Sequence, residues 1–212
     1  MTKKILIFDY DGTLVDTIPT VASVLSDIRK DLGKAPLSTE EILSCISEGG
    51  SSLIKKTLSI NDEEVEFFLN VFRSRYYKND LSQDRIYSGV VSVLENLKKM
   101  GLELWICSNK PGNLLERGLS HHELERFFSK VIAGNSGPYT KPNKLMLEHL
   151  LKNATPNYQH EILLIGDSKF DYDLAKNCGI DFYFHTGGYN DIECIKGIKN
   201  FSLYRDFDYR LL

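Results

Sequence analysis

The sequence predicts an α/β fold in which a parallel sheet, with helices on both faces, is interrupted after its first strand by an all-helical insertion. Three observations predict it. An apolar run within residues 3–9 indicates a buried strand, helical periodicity then fills residues 18 to about 79, and from residue 87 onward helix and strand patterns alternate. Because alternating strands and helices build parallel sheets covered on both faces, the expected core is Rossmann-like.

Two aspartates follow the first strand directly. Asp9 and Asp11 stand at its carboxyl end, just before Gly12. Since the chain turns at the glycine, both carboxylates can converge on one point. Two carboxylates in one pocket tend to divide their roles, one staying ionised while the other holds a proton. The alternative is an acidic strand-to-loop turn, because Asp and Gly are ordinary turn residues.

The insertion is predicted to be helical throughout. Helices are expected at about 20–32, 39–46 and 51–59, and an apolar stripe at helical spacing indicates a fourth helix, with Val65, Phe68, Phe72 and Tyr76 as its members. The segment Glu48-Gly49-Gly50-Ser51-Ser52 is a candidate loop for reading a leaving group. An ordinary connection between helices is the alternative for that segment.

The domain prediction follows from this insertion. We expect a discontinuous α/β core formed by residues 1–15 and 86–212, and a helical cap at residues 16–85. Linkers near 14–18 and 82–88 would let the cap close as a lid that excludes bulk water.

The second half of the chain supplies the remaining elements of the core. A helix carries Val90, Val93, Leu94 and Leu97 and ends at Gly101. Strands are then predicted over 102–107, 129–133, 161–165 and 180–184, with helices between them.

Polar side chains follow these strands, and ligands of parallel α/β sheets bind at the carboxyl ends of the strands. Ser108 and Asn109 follow the second strand, Asp167 follows the strand at 161–165, and Asp171 comes four residues later. Lys141 lies between Asn109 and Asp167 in the sequence. It precedes Pro142, which suits the first turn of a helix. Together with the first two aspartates, these groups could hold a phosphate and a divalent cation.

Each of these residues also has a purely structural interpretation. Ser108 and Asn109 could cap a helix. Lys141 could be a solvated surface lysine, as most lysines are. Ser168 and Asp171 have the spacing of a capping box.

Length, charge and cysteine content limit the class of protein. The 212 residues are 42% hydrophobic, enough for a substantial core, and a net charge of −3 gives no general attraction to nucleic acid or an anionic membrane. No apolar run approaches the ~18 residues of a membrane span. The apolar run after Lys4 is too short for a signal peptide. The cysteines show no metal-binding spacing, which favours a reduced, cytoplasmic protein; they are Cys45, Cys107, Cys178 and Cys194.

The motifs together resemble a known family. Similarity in order and spacing to the four motifs of the haloacid dehalogenase-like hydrolases lies in Asp9-x-Asp11-Gly12-Thr13-Leu14, Ser108-Asn109-Lys110, Lys141-Pro142 and Gly166-Asp167-Ser168-x-x-Asp171. The resemblance covers essentially the whole chain. The helical insertion resembles the cap of the phosphoglycolate phosphatase-like branch, as do Ser108-Asn109-Lys110-Pro111 and Thr186-Gly187-Gly188-Tyr189-Asn190. Lys144 and Ser88 stand where members of the branch often carry proline.

The resemblance implies a Mg²⁺-dependent phosphatase with a small phosphorylated molecule as substrate. Asp9 would attack phosphorus to form an aspartyl-phosphate. Asp11 would protonate the leaving group and then deprotonate the hydrolytic water. Mg²⁺ would be bound by Asp9, Asp167 and the Asp11 carbonyl oxygen.

The resemblance assigns the other polar residues to charge compensation and binding. Lys141 would offset the repulsion between a carboxylate and a phosphate dianion. Ser108, with the backbone amides of Gly12 and Asn109, would hold the phosphoryl group. Asp171 would orient metal-bound water or Lys141.

Alternatives within and outside phosphatase chemistry stay open. Asp11 disfavours a dehalogenase, because a leaving halide needs no proton. The segment Ile18-Pro19-Thr20-Val21 lacks the histidine that sugar-phosphate mutases of the family commonly carry. A phosphomutase, a pyrophosphatase and a non-enzymatic phosphate-binding relative are the alternative functions, and 2-phosphoglycolate, a nucleotide, a sugar phosphate and pyrophosphate are all possible substrates. The protein is expected to be a monomer or homodimer that binds neither nucleic acid nor membrane.

Overall fold

The computed structural model describes residues 2–46, 50–154, 158–189 and 197–212. The chain divides into two compact units: an α/β unit of Met1–Val15 with Ile86–Leu212, and a helical unit of Asp16–Arg85. In chain order the elements are β1 (Ile5–Phe8), β2 (Val15–Asp16), α1 (Ile18–Asp31), α2 (Thr39–Ile46), α3 (Gly50–Leu58), α4 (Asp62–Lys78), β3 (Arg85–Ile86), α5 (Val90–Lys99), β4 (Glu103–Cys107), α6 (Gly112–His121), β5 (Lys130–Ile132), α7 (Glu148–Ala154), α8 (Tyr158–Glu161), β6 (Ile162–Gly166), α9 (Lys169–Cys178), β7 (Asp181–His185) and β8 (Asn200–Phe201).

A six-stranded parallel sheet forms the centre of the α/β unit. Its strand order is β5-β4-β1-β6-β7-β8, and β1 pairs in register with both β4 and β6, with Ile5 opposite Glu103 on one side and Ile162 on the other. Because the three central strands run in the same direction, the residues that follow them emerge at one edge of the sheet. We call this carboxyl edge the site edge.

Both faces of the sheet are covered, as the alternation of side chains along β1 requires. Leu6 and Phe8 belong to one hydrophobic cluster, which also contains the buried residues of α5 together with Leu115 and Leu119 of α6. Ile5 and Ile7 belong to the second cluster, which contains residues of α7 and α9. The prediction of an α/β fold with helices on both faces is confirmed.

The helical unit has an apolar interior of its own. Helix α1 packs against α2, α3 and α4, and its inward face includes Val24, Leu25 and Ile28, all buried. A capping box of Asn61 and Glu64 fixes the start of α4. Of the predicted apolar stripe on α4, Tyr76 is buried while the other members are partly buried.

Two local predictions do not hold. Pro142 does not begin a helix: the Lys141–Pro142 peptide is cis, the Asn143 side chain caps a short 3₁₀ turn at Lys144–Met146, and α7 begins only at Glu148. Helical structure therefore begins at Lys144, after the cap residue Asn143, and not at Pro142. The proposed loop at 48–52 is also changed, because residues 50–52 form the first turn of α3, while Glu48 and Gly49 lie outside the described residues.

Strand β8 was not predicted, because its two residues carry no apolar run. Asn190 and Cys194 fall outside the described ranges. Among the helices in the described part of the chain, none combines the length and the apolar character needed to cross a membrane.

Candidate active site

Asp9 lies at the site edge, and the turn after it is tight. Its amide donates to the Ile165 carbonyl at 2.9 Å, which extends β1 along β6 by one residue. Gly12 has a φ of +75°, and a Cβ there would lie 2.2 Å from Asp167 Oδ2. Only glycine fits this conformation and this approach. The Gly12 amide donates to the Val15 carbonyl at 2.9 Å, so a phosphoryl group could use it only by displacing that carbonyl.

Lys141 is buried among carboxylates. Its Nζ lies 2.6 Å from Asp171 Oδ1 and 2.9 Å from Asp9 Oδ1. Burial acts to lower the pKa of Lys141, but the carboxylates of Asp171 and Asp9 outweigh it and raise the pKa above its ordinary value. The lysine is therefore a fixed cation inside the site, and the interpretation as a solvated surface residue is wrong.

Asn109 holds the backbone of Lys141. Its side-chain oxygen accepts from the Lys141 amide at 2.7 Å, and its side-chain nitrogen donates to the Lys141 carbonyl at 3.2 Å. Ser108 is buried beside it, and its hydroxyl accepts from the Lys110 amide at 3.3 Å. Helix α6 is capped by neither side chain, since Pro111 occupies its N-cap position. The helix-cap interpretation of Ser108 and Asn109 is therefore wrong.

Asp167 is held by donors on both oxygens. Thr13 Oγ1 donates to Oδ1 and the Tyr189 amide donates to Oδ2, each at 2.8 Å. Gly188 packs against the same carboxylate, and a Cβ there would lie 2.2 Å from the Gly12 carbonyl oxygen and 2.5 Å from Asp167 Oδ2. The backbone at Gly12 and the backbone at Gly188 therefore contact Asp167 from two sides and restrict its position.

Asp171 combines two roles that the sequence presented as alternatives. With Ser168 it forms the capping box that starts α9. Its other oxygen, Oδ1, accepts the hydrogen bond from Lys141. The side chain is fully buried, so Asp171 positions Lys141 while closing the helix end.

The carboxylate oxygens fit a hard divalent cation. Oxygens of Asp9, Asp167 and Asp171 lie within 4.8 Å of one another. Although Lys141 Nζ is near Asp9 Oδ1, its approach does not form a hydrogen bond, and this buried oxygen has no hydrogen-bond partner among the described residues. Burial raises the pKa of Asp9 to about 7, against the opposing effect of Lys141, and burial with the neighbouring carboxylates raises that of Asp167. Buried carboxylates in this arrangement are stabilised by a bound cation.

Asp11 takes a different direction. Its Oδ1 lies 2.8 Å from Lys110 Nζ, so its carboxylate is not among the three that cluster. This arrangement is compatible with the prediction that Asp11 offers its carbonyl oxygen to a metal and keeps its carboxyl group for proton transfer.

Two further residues support the loop after β1, and no sequence pattern indicates either of them. His185 Nδ1 lies 3.0 Å from the Gly12 carbonyl oxygen, and the Tyr204 hydroxyl donates to the Thr13 carbonyl at 2.8 Å. Both side chains are buried, and their rings lie 5.2 Å apart between centroids. They occupy unrelated sequence contexts, so only the fold reveals the pairing.

The fold and the site define a hydrolase with buried acidic and basic groups at the carboxyl edge of a parallel sheet. The chain belongs to the haloacid dehalogenase-like hydrolases, whose family model matches residues 6–184.

The chain is also similar to phosphoglycolate phosphatases of other organisms. The chain is 33% identical over 188 residues to a phosphoglycolate phosphatase of Rhodobacter capsulatus, covering 87% of this chain and 84% of the relative. It is 30% identical over 216 residues to the enzyme of that name from Psychrobacter arcticus, covering 98% and 94%. A crystal structure of a predicted phosphoglycolate phosphatase from Haemophilus somnus is similar at a TM-score of 0.87, with 27% identity and coverage of 97% and 96%.

Proposed function

We propose that this protein is a Mg²⁺-dependent phosphatase that hydrolyses a small phosphate monoester through an aspartyl-phosphate on Asp9. The observation that carries the proposal is the placement of the Asp9 carboxylate 2.9 Å from the buried ammonium of Lys141, with Asp11 two residues further along the same turn. This arrangement supplies a nucleophile, a charge-compensating cation and a second carboxyl group for proton transfer.

In the first step, an Asp9 oxygen attacks phosphorus, and the bond from phosphorus to the leaving oxygen breaks. Asp11 delivers a proton to that oxygen as its negative charge develops. Lys141 compensates charge on the transferring phosphoryl group. Ser108 and the Asn109 amide hold its oxygens, and the Gly12 amide stays a predicted donor that would first have to leave the Val15 carbonyl.

In the second step, Asp11 takes a proton from water, which attacks the acyl phosphate and releases inorganic phosphate and free Asp9. Asp171 keeps Lys141 in place throughout, through the hydrogen bond of 2.6 Å. Asp9, Asp167 and the Asp11 carbonyl would hold Mg²⁺, which when bound would reduce the repulsion between the nucleophile and the phosphate dianion.

The proposal extends to the rest of the chain. Residues 1–15 and 86–212 form the hydrolase core, and the helical unit at 16–85 is the cap that selects the leaving group and limits access of water. The cytoplasm is the proposed location. 2-Phosphoglycolate is the first substrate to test, because the relatives at 33% and 30% identity carry that name.

A substrate panel tests the proposal. Phosphate release is measured from 2-phosphoglycolate, a sugar phosphate, a nucleoside monophosphate, pyrophosphate and p-nitrophenyl phosphate, each with Mg²⁺ and with a chelator. We expect Mg²⁺-dependent release from at least one monoester. Release from pyrophosphate alone would support the pyrophosphatase alternative, and phosphate binding without any release would support the non-enzymatic one.

The nucleophile is tested by Asp9→Asn, which should lower kcat by at least ~10³-fold, since losing a covalent nucleophile removes the reaction path. Acid-quenched wild type should carry one phosphoryl group on the peptide that contains Asp9, detected by mass spectrometry. The matched control is Asp62→Asn, at an exposed aspartate of the helical unit, which should leave kcat unchanged. Full activity in Asp9→Asn would overturn the assignment.

A further inference from the structure

Lys110 lies in the loop after β4, and the mechanism above does not use it. Its Nζ donates to Asp11 Oδ1 at 2.8 Å, and the lysine side chain is 8% exposed against 27% for the aspartate. The ammonium also lies 5.5 Å from the centroid of the Tyr10 ring, within the range of a cation–π contact. The charge that Asp11 faces is thus a largely buried one.

The backbone of Lys110 is fixed as well. Its carbonyl accepts from the Gly134 amide at 2.9 Å, and its amide donates to Ser108 Oγ. A Cβ on Gly134 would lie 2.1 Å from the Asn109 carbonyl oxygen, so the segment after β5 packs directly on this loop. A fixed backbone with a buried side chain places the ammonium at a defined point beside Asp11.

The two lysines of the site serve different carboxylates. Lys141 lies against Asp9 and Asp171, whereas Lys110 lies against Asp11. Asp11 is a short side chain in a turn, and without a partner it could adopt other staggered rotamers. A proton donor must be within hydrogen-bond reach of the leaving oxygen, so a rotamer change would remove it from the reaction.

We propose that Lys110 is the positioning residue for Asp11, holding its carboxyl group in the orientation from which the proton reaches the leaving oxygen. This inference rests on the proposed function, because it concerns the proton transfer assigned there to Asp11. In that transfer the electron pair of the breaking bond stays on the leaving oxygen, and the proton passes to it from Asp11. Lys110 acts through Asp11, so its removal matters most when the leaving group needs a proton.

Lys110→Met tests this with two substrates of different leaving-group basicity. One is the alkyl phosphate from the panel that wild type hydrolyses fastest; the other is p-nitrophenyl phosphate, whose phenolate leaves with little need of a proton. We expect kcat/KM, which reports the first step, to fall at least about tenfold for the alkyl ester and less than about threefold for the aryl ester; the second step, in which Asp11 acts on water, is common to both esters and does not enter this ratio. Equal losses of kcat/KM on both esters, or no loss on either, would overturn the proposal.

A double-mutant cycle separates action through Asp11 from an independent effect. Lys110→Met should cause no further loss on the alkyl ester in an Asp11→Asn background, whereas a full additional tenfold loss would contradict the inference. The matched control is Lys152→Met, which removes an exposed lysine paired with Glu148 on α7. It should change neither substrate's kcat.

A crystal structure of Lys110→Met gives a readout that requires no turnover. The Asp11 carboxyl group is expected to leave its wild-type orientation while Asp9, Lys141 and Asp167 keep theirs. An unmoved Asp11 would overturn the positioning role. Absence of phosphate release by wild type would instead overturn the proposed function, so the two failures are distinguishable.

Discussion

Ion pairs of the same length stand in opposite environments in the two units. In the helical unit, Lys55 and Asp62 are 2.6 Å apart with side chains 46% and 84% exposed. At the site edge, Lys141 and Asp171 are also 2.6 Å apart, but with 3% and 0% exposed. The first pair is screened by water and contributes little. The second has lost its hydration, so removing one partner leaves an uncompensated charge. Burial, and not distance, decides what each pair does.

The largest expected effect comes from breaking the buried pair. Lys141→Met leaves Asp9 and Asp171 without their cation, so the free energy of unfolding in metal-free buffer should fall by about 3–5 kcal/mol. Phosphatase activity should be lost at the same time. Urea unfolding followed by circular dichroism measures the change. A loss below about 1 kcal/mol would contradict the expectation that buried carboxylates without their cation are strongly destabilising.

Filling the space around Asp167 should have the next largest effect. In Gly188→Ala the new Cβ would meet backbone of the loop after β1, which must shift, and a displacement near 1 Å can lower kcat by ~10²-fold. The stability loss should be about 1–3 kcal/mol. Gly137→Ala is the control, because no atom lies within 4 Å of a Cβ there. Equal activity in Gly188→Ala and Gly137→Ala would contradict the expectation that the close approach of Gly188 to Asp167 is needed for activity.

A pH series of unfolding measurements tests the contribution of His185, the buried histidine that supports the same loop. Burial lowers the pKa of His185, although hydrogen bonds to backbone groups oppose it. The folded protein therefore binds this proton less readily than the unfolded chain, and stability is lost as pH falls through about 6.5. The slope from this group cannot exceed about 1.4 kcal/mol per pH unit. His185→Gln should reduce the slope of the free energy of unfolding against pH between pH 7.5 and 5.5. A slope equal to that of wild type would contradict this contribution of His185.

The smallest effect is expected at the exposed pair. Lys55→Met should change the free energy of unfolding by less than about 0.5 kcal/mol, because the pair is solvated in both the folded and unfolded states. The same urea titration as for Lys141→Met measures it. A loss comparable with that of the buried variant would remove the distinction between the two environments.

The sequence predicted the site edge because the information is local. Asp9, Ser108 and Asp167 each follow an apolar run, and parallel strands place such residues side by side. The five longer strands could be found for the same reason. Whether Lys141 was buried or solvated could not be found, since that depends on contacts with residues far away in sequence. The pairings of Asn109 with Lys141 and of Lys110 with Asp11 depend on the same three-dimensional information.

The two residues that support the loop after β1, His185 and Tyr204, could not be predicted from sequence patterns for a related reason. His185 lies at the end of a strand, and Tyr204 lies in a short 3₁₀ turn, where an aromatic residue indicates only packing. Nothing in either context indicates a hydrogen bond to the loop after β1. The start of α7 differs from the prediction because proline suits the first turn of a helix, whereas Asn143, directly after Pro142, caps a separate 3₁₀ turn.

The bond from Tyr204 to the Thr13 carbonyl has a consequence for biosynthesis. The two residues are 191 positions apart, and at about 5–20 residues per second the ribosome needs roughly 10 to 40 s to travel from one to the other. During that interval the acidic loop is already made but lacks the hydroxyl that anchors it. Hydrolytic competence should therefore arise late in synthesis, and nascent chains stalled before Tyr204 should be inactive.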